Sequence, residues 1–133
     1  MRYRGVDPSE YVVARYGRAR DITLGGLGDL AGRESEGRLD LVICSDVLPY
    51  VGDAEIERGV AWIAEHLDGI AYLHAMTATD TFFGDRDSFH PRAADDYLRM
   101  FAAGGLHRVG PHLYAGEVVL RTLTALEGPL PGT

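Results

Sequence analysis

The chain has 133 residues, 46% of them apolar, and a net charge of −7; that fits one domain with a proper buried core. The acidic balance argues against general nucleic-acid binding. No apolar run is long enough to span a membrane, and no apolar segment follows the N-terminal arginines as a signal peptide requires.

The single cysteine, Cys44, leaves no internal disulfide and fits a reducing compartment, so the expected location is the cytoplasm. The one basic cluster, Arg15 to Arg20, reads most simply as a solvated helix end.

Taken in chain order, "RYRGVDPS" reads as a short strand running into Asp7-Pro8. Pro8 suits a first helical turn and Asp7 an N-cap. The following helix carries Tyr11, Val12 and Tyr16 on one side, with Gly17 as its stop. "DITL", Asp21 to Leu24, is a short strand, and "GGLGDL" a glycine-rich turn. Leu39 to Cys44 is almost continuously apolar, the pattern of a parallel strand covered on both faces. A helical turn spans Val47 to Val51, Gly52 breaks it, and Asp53 caps the next helix.

That helix, "DAEIERGVAWIAEHL", repeats Ile56, Val60, Ile63 and Leu67 at amphipathic spacing, with Glu55 and Glu57 near its positive end. Gly69 to Met76 is a second buried-type strand. After a long polar loop, Ala93 to Ala103 forms a helix with Ala94, Tyr97, Leu98 and Phe101 on one face, stopped by Gly104-Gly105. "LHRVGPHLYA" is a strand interrupted at Gly110-Pro111, and a last helix runs from Glu117 to Leu126. Residues 1–127 are expected to form the domain and 128–133 a flexible tail.

The alternation of strands and helices predicts an α/β domain with a mostly parallel sheet and right-handed crossovers. In such sheets ligands bind outside the carboxyl ends of the strands. Three ends carry suitable groups: Asp7, the Gly25-to-Asp29 turn, and Cys44-Ser45-Asp46. Each has a plainer reading, as cap, turn former or small core residue.

"GVDPS" followed by "LDLVICSDVLPYVGDAEIERGVAWIAEHLDGIAYLHA" resembles the class I S-adenosylmethionine-dependent methyltransferases over about Arg4 to Tyr114. The resemblance implies a Rossmann-like three-layer α/β sandwich and S-adenosylmethionine as cofactor. It places Asp7, beside Pro8, on the ribose hydroxyls and Gly26 and Leu27 against the adenine. Cys44 and Ser45 would border the methionine part and, with Asp46, the methyl acceptor. Asp29 lies three positions later than the family's adenine-side acid, and Pro49 replaces a common aromatic or histidine.

The family's first strand and its glycine-rich loop have no counterpart, so the resemblance implies an incomplete, N-terminally truncated sheet. Three arrangements satisfy the two inner edges: a longer protein with an earlier start, which is favoured; a strand from another chain; or direct pairing of the family's second and fourth strands. Buried unpaired backbone groups cost about 1–3 kcal/mol each.

The expected activity is methyl transfer to a small molecule. Candidate bases are His90, His74 and Asp46. His74 also reads as a hydrogen-bonded core histidine, and His90-Pro91 as a helix opening. No metal is expected, because Asp80, Asp85, Asp87 and His90 match no standard ligand spacing. Phe82, Phe83 and Phe89 suggest a lid over the acceptor. Two other readings remain open. One is a degenerate, non-catalytic domain that meets a partner chain, or a second copy, at an exposed sheet edge. The other is a nicotinamide-dependent oxidoreductase.

Overall fold

The computed structural model describes residues 1–33, 37–81, 84 and 86–127, with side chains through residue 123. It is a mixed α/β structure with two separate sheets. Strand β1 (Gly5–Asp7), helix α1 (Glu10–Arg20) and strand β2 (Ile22–Leu24) form the first unit, in which β1 and β2 pair in parallel. A 3₁₀ segment (Leu27–Gly32) leads to strand β3 (Leu39–Ser45), a 3₁₀ turn (Leu48–Tyr50), helix α2 (Asp53–His66) and strand β4 (Leu67–His74). Helix α3 (Ala94–Ala103), strands β5 (His107–Gly110) and β6 (Leu113–Ala115), and helix α4 (Glu117–Glu127) complete the chain.

The second sheet has the order β3-β4-β6-β5, with β3 and β4 parallel and β6 antiparallel to both neighbours. Among the described residues, two of the four strand pairings are therefore parallel, where a mostly parallel sheet was expected. The antiparallel pairs arise because Gly110-Pro111-His112 makes a tight reversal, with His112 at φ 58°, so "LHRVGPHLYA" becomes a hairpin and not one interrupted strand. Direct pairing of the flanking strands is also not what the chain does: β1 and β3 lie in different sheets.

Several local expectations are corrected. Helix α1 continues through Gly17 to Arg20, ending on Asp21 in a left-handed conformation. Gly17 is the point where the helix touches β2, since an added Cβ would sit 2.7 Å from the Ile22 carbonyl oxygen; it is a contact residue, not a stop. Tyr11 and Tyr16 are exposed. The N-cap of α1 is Ser9, whose hydroxyl accepts from Val12 N, which leaves Pro8 and Asp7 outside the helix. Gly52, not Asp53, is the N-cap of α2.

The core is one cluster. Ile56, Val60 and Ile63 of α2 meet Ala71 and Leu73 of β4, Tyr97 and Phe101 of α3, and Tyr114 of β6. The α2 spacing delivers this face as anticipated, except that Leu67 belongs to β4, which follows His66 without a loop. At the resulting crossing an added Cβ on Gly69 would overlap the Asp40 carbonyl oxygen, so glycine permits the close approach at the irregular start of the β3–β4 ladder.

Strand β3 departs most from its pattern. Val42 and Cys44 pack against the core, but Leu41 and Ile43 on the opposite face are 57% and 68% exposed. The strand is apolar on both faces, and among the described residues elements pack over one of them alone.

Candidate functional site

The exits of β3 and β4 are clipped together. Asp46 N donates to the His74 carbonyl oxygen at 3.0 Å, which turns the chain back after β3 and puts Asp46 at φ 59°. Aspartate is among the few residues that tolerate this left-handed conformation, and such outliers gather at functional sites. The turn delivers the Asp46 carboxylate to the ring it leads towards: His74 Nδ1 lies 3.1 Å from Asp46 Oδ1. Ser45 Oγ lies 3.5 Å from the other carboxylate oxygen.

His74 is not a core histidine. It lies on the same face of the sheet as Ile43 and Ser45, partly open to solvent. Its ring packs 4.9 Å edge-on against His112, and Tyr72 completes the group at 6.4 Å from His74 and 5.9 Å from His112. His112 escaped the sequence reading because nothing in "GPHL" marks it as more than a turn residue. Only the hairpin reversal brings it beside β4, where its carbonyl accepts from Leu73 N at 2.9 Å.

His90 is placed differently. Its backbone N–H donates to the Pro49 carbonyl at 2.7 Å and the neighbouring Phe89 ring meets Tyr50 edge-on at 6.1 Å, so the loop end is tied to the β3 exit while the His90 ring is exposed. Of the suggested lid, Phe82 and Phe83 lie outside the described residues, as does Asp85. Asp80 is committed to its own loop, accepting from Thr77 N and Oγ1; these bonds, and then His74, hold its carboxyl below the usual range. Among the described residues no group of three or more His, Cys, Asp or Glu is placed to hold a metal ion.

At the tips of the small sheet, Gly25 N donates to the Asp7 carbonyl at 3.1 Å. Asp7 Oδ1 accepts from Ser9 N at 2.8 Å, leaving its second carboxylate oxygen open to a hydroxyl. Asp29 is engaged in a similar way: its Oδ2 accepts from Gly26 N at 2.7 Å and closes the start of the 3₁₀ segment. A second carboxylate stands at this turn: Glu55 Oε1, from the first turn of α2, accepts from Gly28 N at 3.1 Å. Glu55 links the β2 exit to α2, and Leu27 is buried against Gly59 of the same helix.

Cys44 is half-buried, and burial pushes its thiol up to about 11, which suits a packing residue more than a nucleophile.

The residue that organises the β3 exit was not singled out from sequence. Arg92 is only 8% exposed. It donates to Asp53 Oδ1 at 2.7 Å, to the Leu48 carbonyl at 3.0 Å and to the Val51 carbonyl at 2.6 Å, with Tyr97 Oη at 3.4 Å. One guanidinium thereby fixes the segment between β3 and α2. "HPR" before a helix carries no signal for this, since the three acceptors lie about forty residues away in sequence.

No helix among the described residues is long and apolar enough to cross a membrane. No protein-family model matches the sequence, and no curated protein matches it. Among solved structures, the chain is similar to the SAH-bound crystal structure of CalO1, a methyltransferase in calicheamicin biosynthesis, at TM-score 0.54 and 16% identity. The match covers 82% of this chain and 38% of that one, so the chain spans well under half the length of its structural neighbour. The likeness shows the fold: an α/β arrangement of the kind found in that methyltransferase.

Proposed function

We propose that the chain is part of an S-adenosylmethionine-dependent methyltransferase acting on a small molecule, with Asp46 and His74 as its proton-accepting pair. The observation that carries the reading is the Asp46–His74 contact at the carboxyl ends of β3 and β4, on a fold shared with a methyltransferase. Asp7 would hold the ribose through its free carboxylate oxygen, and the backbone at Gly26 and Leu27 would border the adenine. Cys44 and Ser45 would border the methionine part. S-adenosylmethionine supplies a methyl group on a sulfonium sulfur.

With Nδ1–H donating to Asp46, His74 Nε2 is left as the basic nitrogen. It would take the proton of the acceptor atom while the cofactor supplies the methyl group. Asp46 orients the ring and stabilises the imidazolium that results, the part a carboxylate plays beside histidine in other acid–base sites. Positioning the acceptor next to the methyl supplies much of the remaining acceleration.

The uncovered side of β3 supports a further strand at that edge, with a covering element over Leu41 and Ile43. It equally supports the second reading, a non-catalytic domain that meets a partner or a second copy along β3. Titrating S-adenosylhomocysteine into the full chain by calorimetry separates the two. Binding at a 1:1 ratio supports the methyltransferase reading. A folded chain that gives no heat removes cofactor binding by this chain and leaves the partner-binding reading.

A further inference from the structure

A cavity of about 230 Å³ lies between the end of β4, the β5–β6 hairpin and α3. Leu73 and Ala75 form its floor, Tyr97 and Phe101 one wall, and Arg108 and His112 its polar side. The volume is below the roughly 300–1,000 Å³ typical of drug-sized ligands, so it suits a body of about one ring.

The charge around it is unusual for this chain. Acidic residues outnumber basic ones 20 to 13, yet among the described residues no carboxylate lines the cavity and one guanidinium does. The acids nearest in sequence to its lining are Asp95 and Asp96, between the lining residues Ala94 and Tyr97. Asp96 accepts from Ala93 N at 3.2 Å and pairs with Arg99, and Asp80, three residues past Thr77, accepts from its amide at 2.6 Å and its hydroxyl at 3.0 Å. Arg108 makes one long bond, Nε to the Gly110 carbonyl at 3.4 Å, and no ion pair among the described residues. Its two terminal nitrogens can therefore grip an anion in the forked geometry that arginine offers carboxylates. Thr77 and His112 also line it, and His112 packs on His74, so one lining residue links the cavity to the Asp46–His74 pair.

We propose that this cavity binds a small apolar carboxylate, with its single-ring body against Leu73 and Phe101 and its carboxylate on Arg108. That this ligand is the methyl acceptor rests on the methyl-transfer reading; the binding itself does not.

The test is an NMR titration of the full chain with 4-hydroxyphenylacetate and with its neutral amide, 4-hydroxyphenylacetamide, in wild type, Arg108→Met and Arg108→Lys. The acid should bind at least about tenfold more tightly than the amide, the worth of one charge-assisted hydrogen bond. Arg108→Met should erase that preference and Arg108→Lys restore part of it, with circular dichroism unchanged in both. Equal binding of acid and amide, no binding of either, or a preference that survives Arg108→Met overturns the proposal. S-adenosylhomocysteine is titrated separately. If the acid preference is found and S-adenosylhomocysteine does not bind, the carboxylate site stands and the methyl-transfer reading falls.

Discussion

His74 Nδ1 lies 3.1 Å from the Asp46 carboxylate although the two residues are 28 apart in sequence. The contact exists because β3 and β4 run parallel and in register at Ser45 and His74, so the residue after one strand meets the last residue of the other. If this pair is the base, His74→Gln lowers methyl transfer by about 10²–10⁴-fold on any acceptor the wild type methylates. Affinity for S-adenosylhomocysteine should stay within about twofold, because the base does not hold the cofactor. An unchanged rate would reduce the pair to a surface contact.

Asp7 has a structural duty and a proposed binding duty, and Asp7→Asn divides them. The amide oxygen still accepts from Ser9 N, so the urea midpoint should hardly move. The lost charge and acceptor should weaken S-adenosylhomocysteine binding by about tenfold. Equal affinity in wild type and variant would confine Asp7 to the approach to α1.

Arg92→Met should be among the most destabilising single changes. It leaves the Leu48 and Val51 carbonyls without the donor they now share. An unpaired buried group costs about 1–3 kcal/mol, so a loss of about 2–5 kcal/mol is expected from urea unfolding. A loss below about 1 kcal/mol would mean water satisfies these carbonyls.

The β3 edge makes a prediction about association. Ile43 is 68% exposed on a strand paired on one side alone among the described residues, the arrangement that lets sheets join edge to edge. Ile43→Lys should reduce concentration-dependent self-association in sedimentation velocity runs while changing stability by less than about 0.5 kcal/mol. If wild type and variant sediment alike at every concentration, another element already blocks the edge.

Cys44 offers a pH readout of burial at the β3 end. Its thiol is pushed up to about 11 by burial, so the reactive thiolate is scarce at pH 8, about one part in a thousand. Alkylation by iodoacetamide should be about a hundredfold slower there than for an exposed cysteine. It should rise about tenfold per pH unit towards pH 11. A rate at pH 8 matching free cysteine would show that the strand end opens to solvent.

The amphipathic spacing of Ile56, Val60 and Ile63 was legible because a helix face repeats locally, and packing uses that face as spacing implies. The β3 and β4 segments were legible for the same reason, to within about two residues. The stop assigned at Gly17 failed because a glycine is equally required where a helix meets a backbone, and only the position of Ile22 reveals which case holds. Of the proposed acid–base group, Asp46 and His74 could be named from their place at strand ends. His112 could not, since its position depends on a reversal that brings β6 beside β4.

The sequence by itself determined the alternation of strands and helices, the buried face of α2 and the acidic strand ends, because these follow from residue type and near-neighbour spacing. Tertiary structure alone decided that the strands split into two sheets, that β3 keeps one apolar face open, and that Arg92 ties the β3 exit together. It also decided that one arginine lines a cavity which, among the described residues, has no carboxylate in its lining. Those facts depend on which distant segments end side by side, and the net free energy of many weak contacts selects that arrangement, not any local pattern.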